Sequence, residues 1–136
     1  MDGSDLVMPR LIVPAYFHPA SHPAEWAWLT AQAGRVRLVV LNLADGPGSA
    51  PDAVVRSAVG RLHAAGVPVA GYVDTNYGRR PTRAALTDLG RYLDWYQVTG
   101  VFFDRAPIGA EHLGHYADLA EGARRQAPSM WATTLA

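Results

Sequence analysis

The chain has no cysteine and no lysine. The first absence excludes disulfides, thiolate nucleophiles and cysteine-based zinc sites, and leaves the redox compartment open. The second means that all positive charge is arginine. Twelve Arg stand against twelve Asp plus Glu, a net charge of zero, which argues against nucleic acid or an anionic membrane as the main partner. The Arg, Ala, Gly and Pro content fits a GC-rich coding bias and is read as composition, not mechanism. No apolar run approaches the ~20 residues of a membrane span. The acidic start, Met1-Asp2-Gly3-Ser4-Asp5, lacks the apolar core of an export signal, so the chain is cytoplasmic by default. Low-complexity stretches and linkers are missing too, and one domain over residues 1–136 is expected.

What is present is a repeat. Leu11-Ile12-Val13 leads into Tyr16-Phe17-His18, Leu38-Val39-Val40-Leu41 into Asn42, Val67–Val73 into Asp74-Thr75-Asn76-Tyr77, and Val101-Phe102-Phe103 into Asp104. The runs recur about every thirty residues, the length of one strand-helix unit. Unbroken Val/Ile/Leu runs describe strands buried on both faces, and right-handed crossovers make such strands parallel with helices outside. Between them the spacing turns helical. Pro23 opens a helix with Trp26, Leu29 and Ala33 inward, and Gly34 ends it. Ser49-x-x-Asp52 reads as a capping box before Val55, Ala58, Val59, Leu62 and Ala65, with Gly66 as the stop. A third helix from about Thr82 turns Leu86, Leu89, Leu93 and Tyr96 inward, and a fourth Leu113, Tyr116, Ala117 and Ala120. Met130–Thr134 is a fifth strand.

This order predicts an α/β fold of the (β/α) TIM-barrel type. At 136 residues, 49% of them hydrophobic, the chain can bury a core but is far short of the ~250 residues of a complete barrel. About half a barrel is expected, ending at the C-terminal side before the later strands. Half a barrel leaves strand edges and part of its inner face uncovered, so a homo-oligomer is expected.

The polar clusters all fall at C-terminal strand ends, the face where barrels assemble their sites, and point to a shared carbohydrate-like pocket. Tyr16, His18 and Tyr77 offer aromatic faces with polar tips, suited to sugar rings and their hydroxyls. Tyr72, inside a strand, and Trp95, on a helix, read as packing. The Asn42 amide can bind a substrate hydroxyl or N-acetyl group, or satisfy its own loop. Asp74 can position substrate or make an Asx-turn. Asp104 follows two phenylalanines, where a lone carboxylate is costly unless it serves a site or an ion pair with Arg105, Arg79 or Arg80. His18 and His22, separated by prolines, cannot share a helix face as a metal pair, and neither a metal nor a cofactor is called for. Gly46-Pro47-Gly48 lacks the spacing and Lys of a nucleotide loop and reads as a tight turn.

Four ordered motifs now carry a comparison: Leu11-Ile12-Val13-Pro14-Ala15-Tyr16-Phe17-His18-Pro19; Asn42 with Gly46-Pro47-Gly48; Gly71-Tyr72-Val73-Asp74-Thr75-Asn76-Tyr77-Gly78-Arg79-Arg80; and Trp95-Tyr96 before Gly100-Val101-Phe102-Phe103-Asp104. In order and spacing the chain resembles the spherulin-4-like (spherulation-specific family 4) proteins, from Leu11 to about Tyr116. The resemblance implies a (β/α) barrel and glycoside hydrolase chemistry (glycoside hydrolase family 135) on α-1,4-linked N-acetylgalactosamine in galactosaminogalactan. It implies Asp104 as a catalytic carboxylate, with Tyr16, His18, Asn42, Asp74 and Tyr77 lining the sugar cleft. The family pattern continues the fourth strand with Asp-Glu, where this chain has Asp104-Arg105, and its further acidic residue belongs to a later strand. Two readings therefore stand, a glycosidase and a carbohydrate-binding relative that has lost part of its carboxylate set. An Arg105–Asp104 pair would suit a nucleophile or electrostatic stabiliser better than a proton donor.

Overall fold

A computed structural model describes residues 10–105 and 112–134. In chain order these form β1 (Leu11–Ala15), α1 (Pro23–Ala31), β2 (Val36–Leu41), α2 (Ala53–Ala64), β3 (Val69–Asp74), α3 (Thr82–Tyr96), β4 (Gly100–Asp104), α4 (Leu113–Gln126) and β5 (Trp131–Thr134), with 3-10 turns at Ala33–Arg35 and Asn76–Gly78. The strands make one sheet in the order β1-β2-β3-β4-β5, and every neighbouring pair is parallel. The expected singly wound, barrel-type order is thus observed for the described residues.

Strand alternation divides the sheet into two unlike faces. Val39, Leu41, Val69, Val73, Val101 and Phe103 face the helices and share one core with them. Each helix inserts one leucine that is at most 1% exposed, namely Leu29, Leu62, Leu89 and Leu119. Burial of each stabilises the fold by roughly 2–3 kcal/mol. The other face holds a separate cluster drawn from strands alone: Leu38, Val40, Ala70, Tyr72 and Phe102.

Several local expectations need correction. Asp52, not Ser49, is the N-cap of α2: its Oδ1 accepts from the N–H groups of Val54 and Val55, at 2.9 and 3.2 Å. The shorter carboxylate-to-turn path of a true N-cap wins over the Ser-x-x-acid pattern. Gly34 does not stop α1; the helix ends at Ala31 with Gln32 as C-cap, and Gly34 lies in the following 3-10 turn. Gly66 does stop α2, at φ 82°, and the Gly66→His63 and Val67→Leu62 backbone bonds close a Schellman motif. The inward face of α4 is Leu119 and Ala123, and Leu113 is 64% exposed. Gly122 explains the rotation, because a Cβ there would come within 2.3 Å of Leu86 Cδ1. The helix turns its smallest residue toward α3, and Gln126 Nε2 then donates to the Leu86 carbonyl at 2.9 Å. In α3 the centre of the buried face is Tyr92, whose ring lies where a Gly71 side chain would be, 2.4 Å from an added Cβ.

Candidate functional site

Period-two alternation puts Tyr72 and Asp74 of β3 and Phe102 and Asp104 of β4 on the face that no described helix covers. Tyr72 is in register with Phe102, and Asp74 with Asp104. Tyr72 is therefore the diagonal neighbour of Asp104, within reach of a long side chain. Its Oη donates to Asp104 Oδ2 at 2.7 Å. Burial first, and this bond to Asp104 second, hold the Tyr72 phenol well above its ordinary value, so it remains a donor. Tyr16 meets Tyr72 edge to face, with centroids 5.6 Å apart. Burial and the Asp104 charge push the Tyr16 phenol up as well.

Beside this group lies a cavity of ≈ 430 Å³ between Ile12, Pro14, Tyr16, Leu38, Val40, Phe102 and Asp104. Its walls are aliphatic and aromatic, and Asp104 supplies the carboxylate at its border.

Asp74 has a different environment. Arg105 Nε donates to Asp74 Oδ1 at 2.9 Å, and Arg105 Nη2 to Oδ2. The Asn76 N–H also donates to Oδ1, at 2.8 Å. The Arg105 bond is the main reason the Asp74 carboxyl is held below the usual carboxylate range. Like charges opposite each other on adjacent strands repel, and Arg105 relieves that repulsion by neutralising one of them. The expected Arg105–Asp104 pair is thus replaced by Arg105–Asp74, because the Arg105 backbone is left-handed at φ 51° and carries its side chain back across β3. Arg80 is no partner of Asp104 either: its Nη2 binds Asp88 Oδ2 at 2.7 Å, and its Nη1 the Asp74 carbonyl at 3.0 Å.

The turn geometry is set by Thr75, which is fully buried. Its N–H donates to the Asp104 carbonyl at 3.0 Å, and its hydroxyl lies 3.1 Å from that oxygen and 2.7 Å from the Arg105 carbonyl. Tyr77 N–H donates to the same Arg105 carbonyl. Asn76 and Tyr77 are themselves left-handed, at φ 46° and 56°, so two adjacent strand ends are stitched together through strained turns.

Of the residues expected from sequence, Tyr16 and Asp104 adjoin one cavity. Asp74 and Tyr77 sit beside them around Arg105, whose guanidinium lies 5.6 Å from the Tyr77 ring centroid. His18 is engaged by Asp52, Nε2 to Oδ2 at 2.7 Å, while its Nδ1 accepts the Ala20 N–H at 3.0 Å. Asn42 Oδ1 accepts the Gly46 N–H at 2.8 Å, serving its own loop. Sequence reasoning missed Tyr72 and Thr75 as parts of this site. The period-two rule from Asp74 back to Tyr72 could have found the first; the second bonds only to backbone and leaves no sequence signal. Among the described residues no three His, Cys, Asp or Glu gather closely enough to hold a metal ion.

Fold and site together define a barrel-type (β/α) unit with a carboxylate and tyrosines at its C-terminal strand ends. The chain belongs to spherulation-specific family 4, whose pattern matches residues 10–134. It is 32% identical over 114 residues to Spherulin-4 of Physarum polycephalum, across 81% of this chain and 33% of that protein. The chain therefore spans about a third of the length of that curated relative.

Proposed function

We propose that this chain is a carbohydrate-binding member of its family, acting as one domain, with Asp104 as the carboxylate that meets the ligand. The observation that carries the reading is the two-pronged engagement of Asp74 by Arg105. Glycoside cleavage needs one carboxyl group to protonate the leaving oxygen and a second to act as nucleophile or base. Asp74 is held ionised by its partner and serves poorly as the acid. Tyr16 offers a half-exposed ring beside an apolar cavity, the equipment for one face of a sugar. The ligand class is an amino-sugar oligosaccharide of the galactosaminogalactan kind, α-1,4-linked N-acetylgalactosamine included.

A second reading, an endo-acting glycoside hydrolase, draws on the in-register pairing of Asp74 and Asp104. Adjacent strands lie ~4.8 Å apart, near the ~5–5.5 Å between carboxyl groups of retaining enzymes. Asp104 would then be the nucleophile.

Calorimetric binding and reducing-end release, measured on α-1,4-linked galactosamine-type oligomers with wild type, Asp104→Asn and Arg105→Glu, separate the two. Binding without cleavage by wild type, weakened in Asp104→Asn, is the expected result. Turnover by wild type that disappears in Asp104→Asn establishes the hydrolase instead. A wild type that neither binds nor cuts overturns both.

A further inference from the structure

Among the described residues no ion pair balances the charge of Asp104 at its cavity. Asp104 borders apolar walls formed by Ile12, Leu38 and Val40, and its one side-chain hydrogen bond among the described residues is to the neutral Tyr72 hydroxyl. Two arginines of the adjoining turns are committed elsewhere, Arg105 to Asp74 and Arg80 to Asp88. A carboxylate against apolar surface is costly unless an opposite charge joins it.

The rings around it favour the same visitor. Tyr72 stacks on Phe102 with centroids 6.4 Å apart and planes at 23°, and Tyr16 stands at 76° to Tyr72. This makes an aromatic corner at the carboxylate. Ring faces carry negative quadrupole charge and attract cations, ammonium groups above all. The phenols add no competing charge, and burial raises both above the ordinary tyrosine value.

We infer that this cleft selects an organic ammonium: on the carbohydrate reading above, an amino sugar whose amine is free and protonated, in preference to the N-acetylated unit. The ammonium binds the open oxygen of Asp104 and faces the Tyr16–Phe102 corner, while the C–H surface of the sugar lies on the aliphatic wall. A hydroxyl or an acetamide N–H can also donate to Asp104, but neither balances its charge.

The test is calorimetric binding of four probes: α-1,4-linked galactosamine oligomers with free amines, the same oligomers fully N-acetylated, neutral galactose oligomers, and tetramethylammonium chloride. The free-amine oligomer should bind about tenfold or more tighter than the other two oligomers, the scale of one charge-assisted bond. Asp104→Asn, nearly isosteric and still able to accept from Tyr72, should remove that preference. Tyr16→Leu, at a half-exposed position, should weaken the free-amine oligomer and tetramethylammonium together. Equal or tighter binding of the N-acetylated oligomer overturns the ammonium inference and leaves the carbohydrate reading standing. Binding of tetramethylammonium, lost in Asp104→Asn, with no oligomer bound, supports the ammonium site and overturns the sugar. An unchanged preference in Asp104→Asn overturns the assignment to Asp104.

Discussion

The two faces of the sheet are built from the same strands and follow different rules. On the helix side each position is fixed by a neighbour: Tyr92 fills the space above Gly71, and four leucines from four helices meet the odd-numbered strand residues. On the other side no described helix covers the strands, yet Leu38, Val40, Ala70, Tyr72 and Phe102 are each at most 6% exposed. The polar groups of the candidate site stand at the same surface. The helix side is the one packing dictates; the bare side, which no described helix covers, holds the cavity bordered by Asp104.

The sharpest way to break this contrast is a pair of matched glycine substitutions. A Cβ at Gly71 would come 2.4 Å from the Tyr92 ring, and one at Gly100 equally close to the Trp131 ring. Tyr92 is fully buried, whereas Trp131 is 37% exposed and can swing outward. Gly71→Ala should therefore cost ~3 kcal/mol or more and Gly100→Ala ~1 kcal/mol, read by urea denaturation. Equal costs would mean that the bare face is as tightly packed as the covered one.

Next in size is association. The strand β1 lies at the edge of the described sheet with no described partner beyond it, and it exposes Leu11 and Ile12. We expect light scattering at micromolar concentration to report more than a monomer, and Leu11→Lys to shift the balance toward single chains. A stable monomer in the wild type would show that the bare face needs no cover.

Asp52→Ala should cost ~1 kcal/mol, because it removes the α2 cap on the covered side together with the His18 bond. Tyr72→Phe, its counterpart on the bare side, should cost no more than ~1 kcal/mol in stability while reducing ligand affinity. A stability loss with unchanged affinity would place Tyr72 with the core alone.

The smallest effect is on pH dependence. Asp74 and Asp52 are both held below the ordinary carboxylate value, Asp74 mainly by Arg105 and Asp52 mainly by His18. A depressed folded value contributes stability that is present above the unfolded value of about 4 and is lost as pH falls through the folded one. Denaturation midpoints should fall below about pH 4, and Asp74→Asn should flatten that fall. An unchanged acid slope would mean that the exposed Arg105 pair is screened away by solvent.

The sheet order and the helix positions were legible because unbroken apolar runs and three- or four-residue spacing are imposed by burial itself. The face of α4 was not, since Leu113 and Ala117 obey the same spacing as Leu119 and Ala123, and only the approach of Leu86 to Gly122 chooses between them. That Asp104 and Tyr16 adjoin one cavity was legible from their strand-end positions. The Arg105 partner was misread, since sequence adjacency suggested Asp104 whereas a left-handed backbone turns the side chain across to Asp74. His18 and Asn42 have the polarity of ligand-binding residues, but their bonds are to Asp52 and Gly46.

Because the strands are ordered in space as they are in the chain, each one after the first pairs with a strand made earlier. No strand has to be threaded between two others already joined. During synthesis, which releases roughly 5–20 residues per second, each emerging strand-helix unit can add to an existing edge, with loop closure confined to about thirty residues at a time. Thr75 bears on this growth, since its bonds to the Asp104 and Arg105 carbonyls can form only after β4 arrives. The locking of the site is thereby tied to the fourth step of assembly, after most of the helix-covered core is in place.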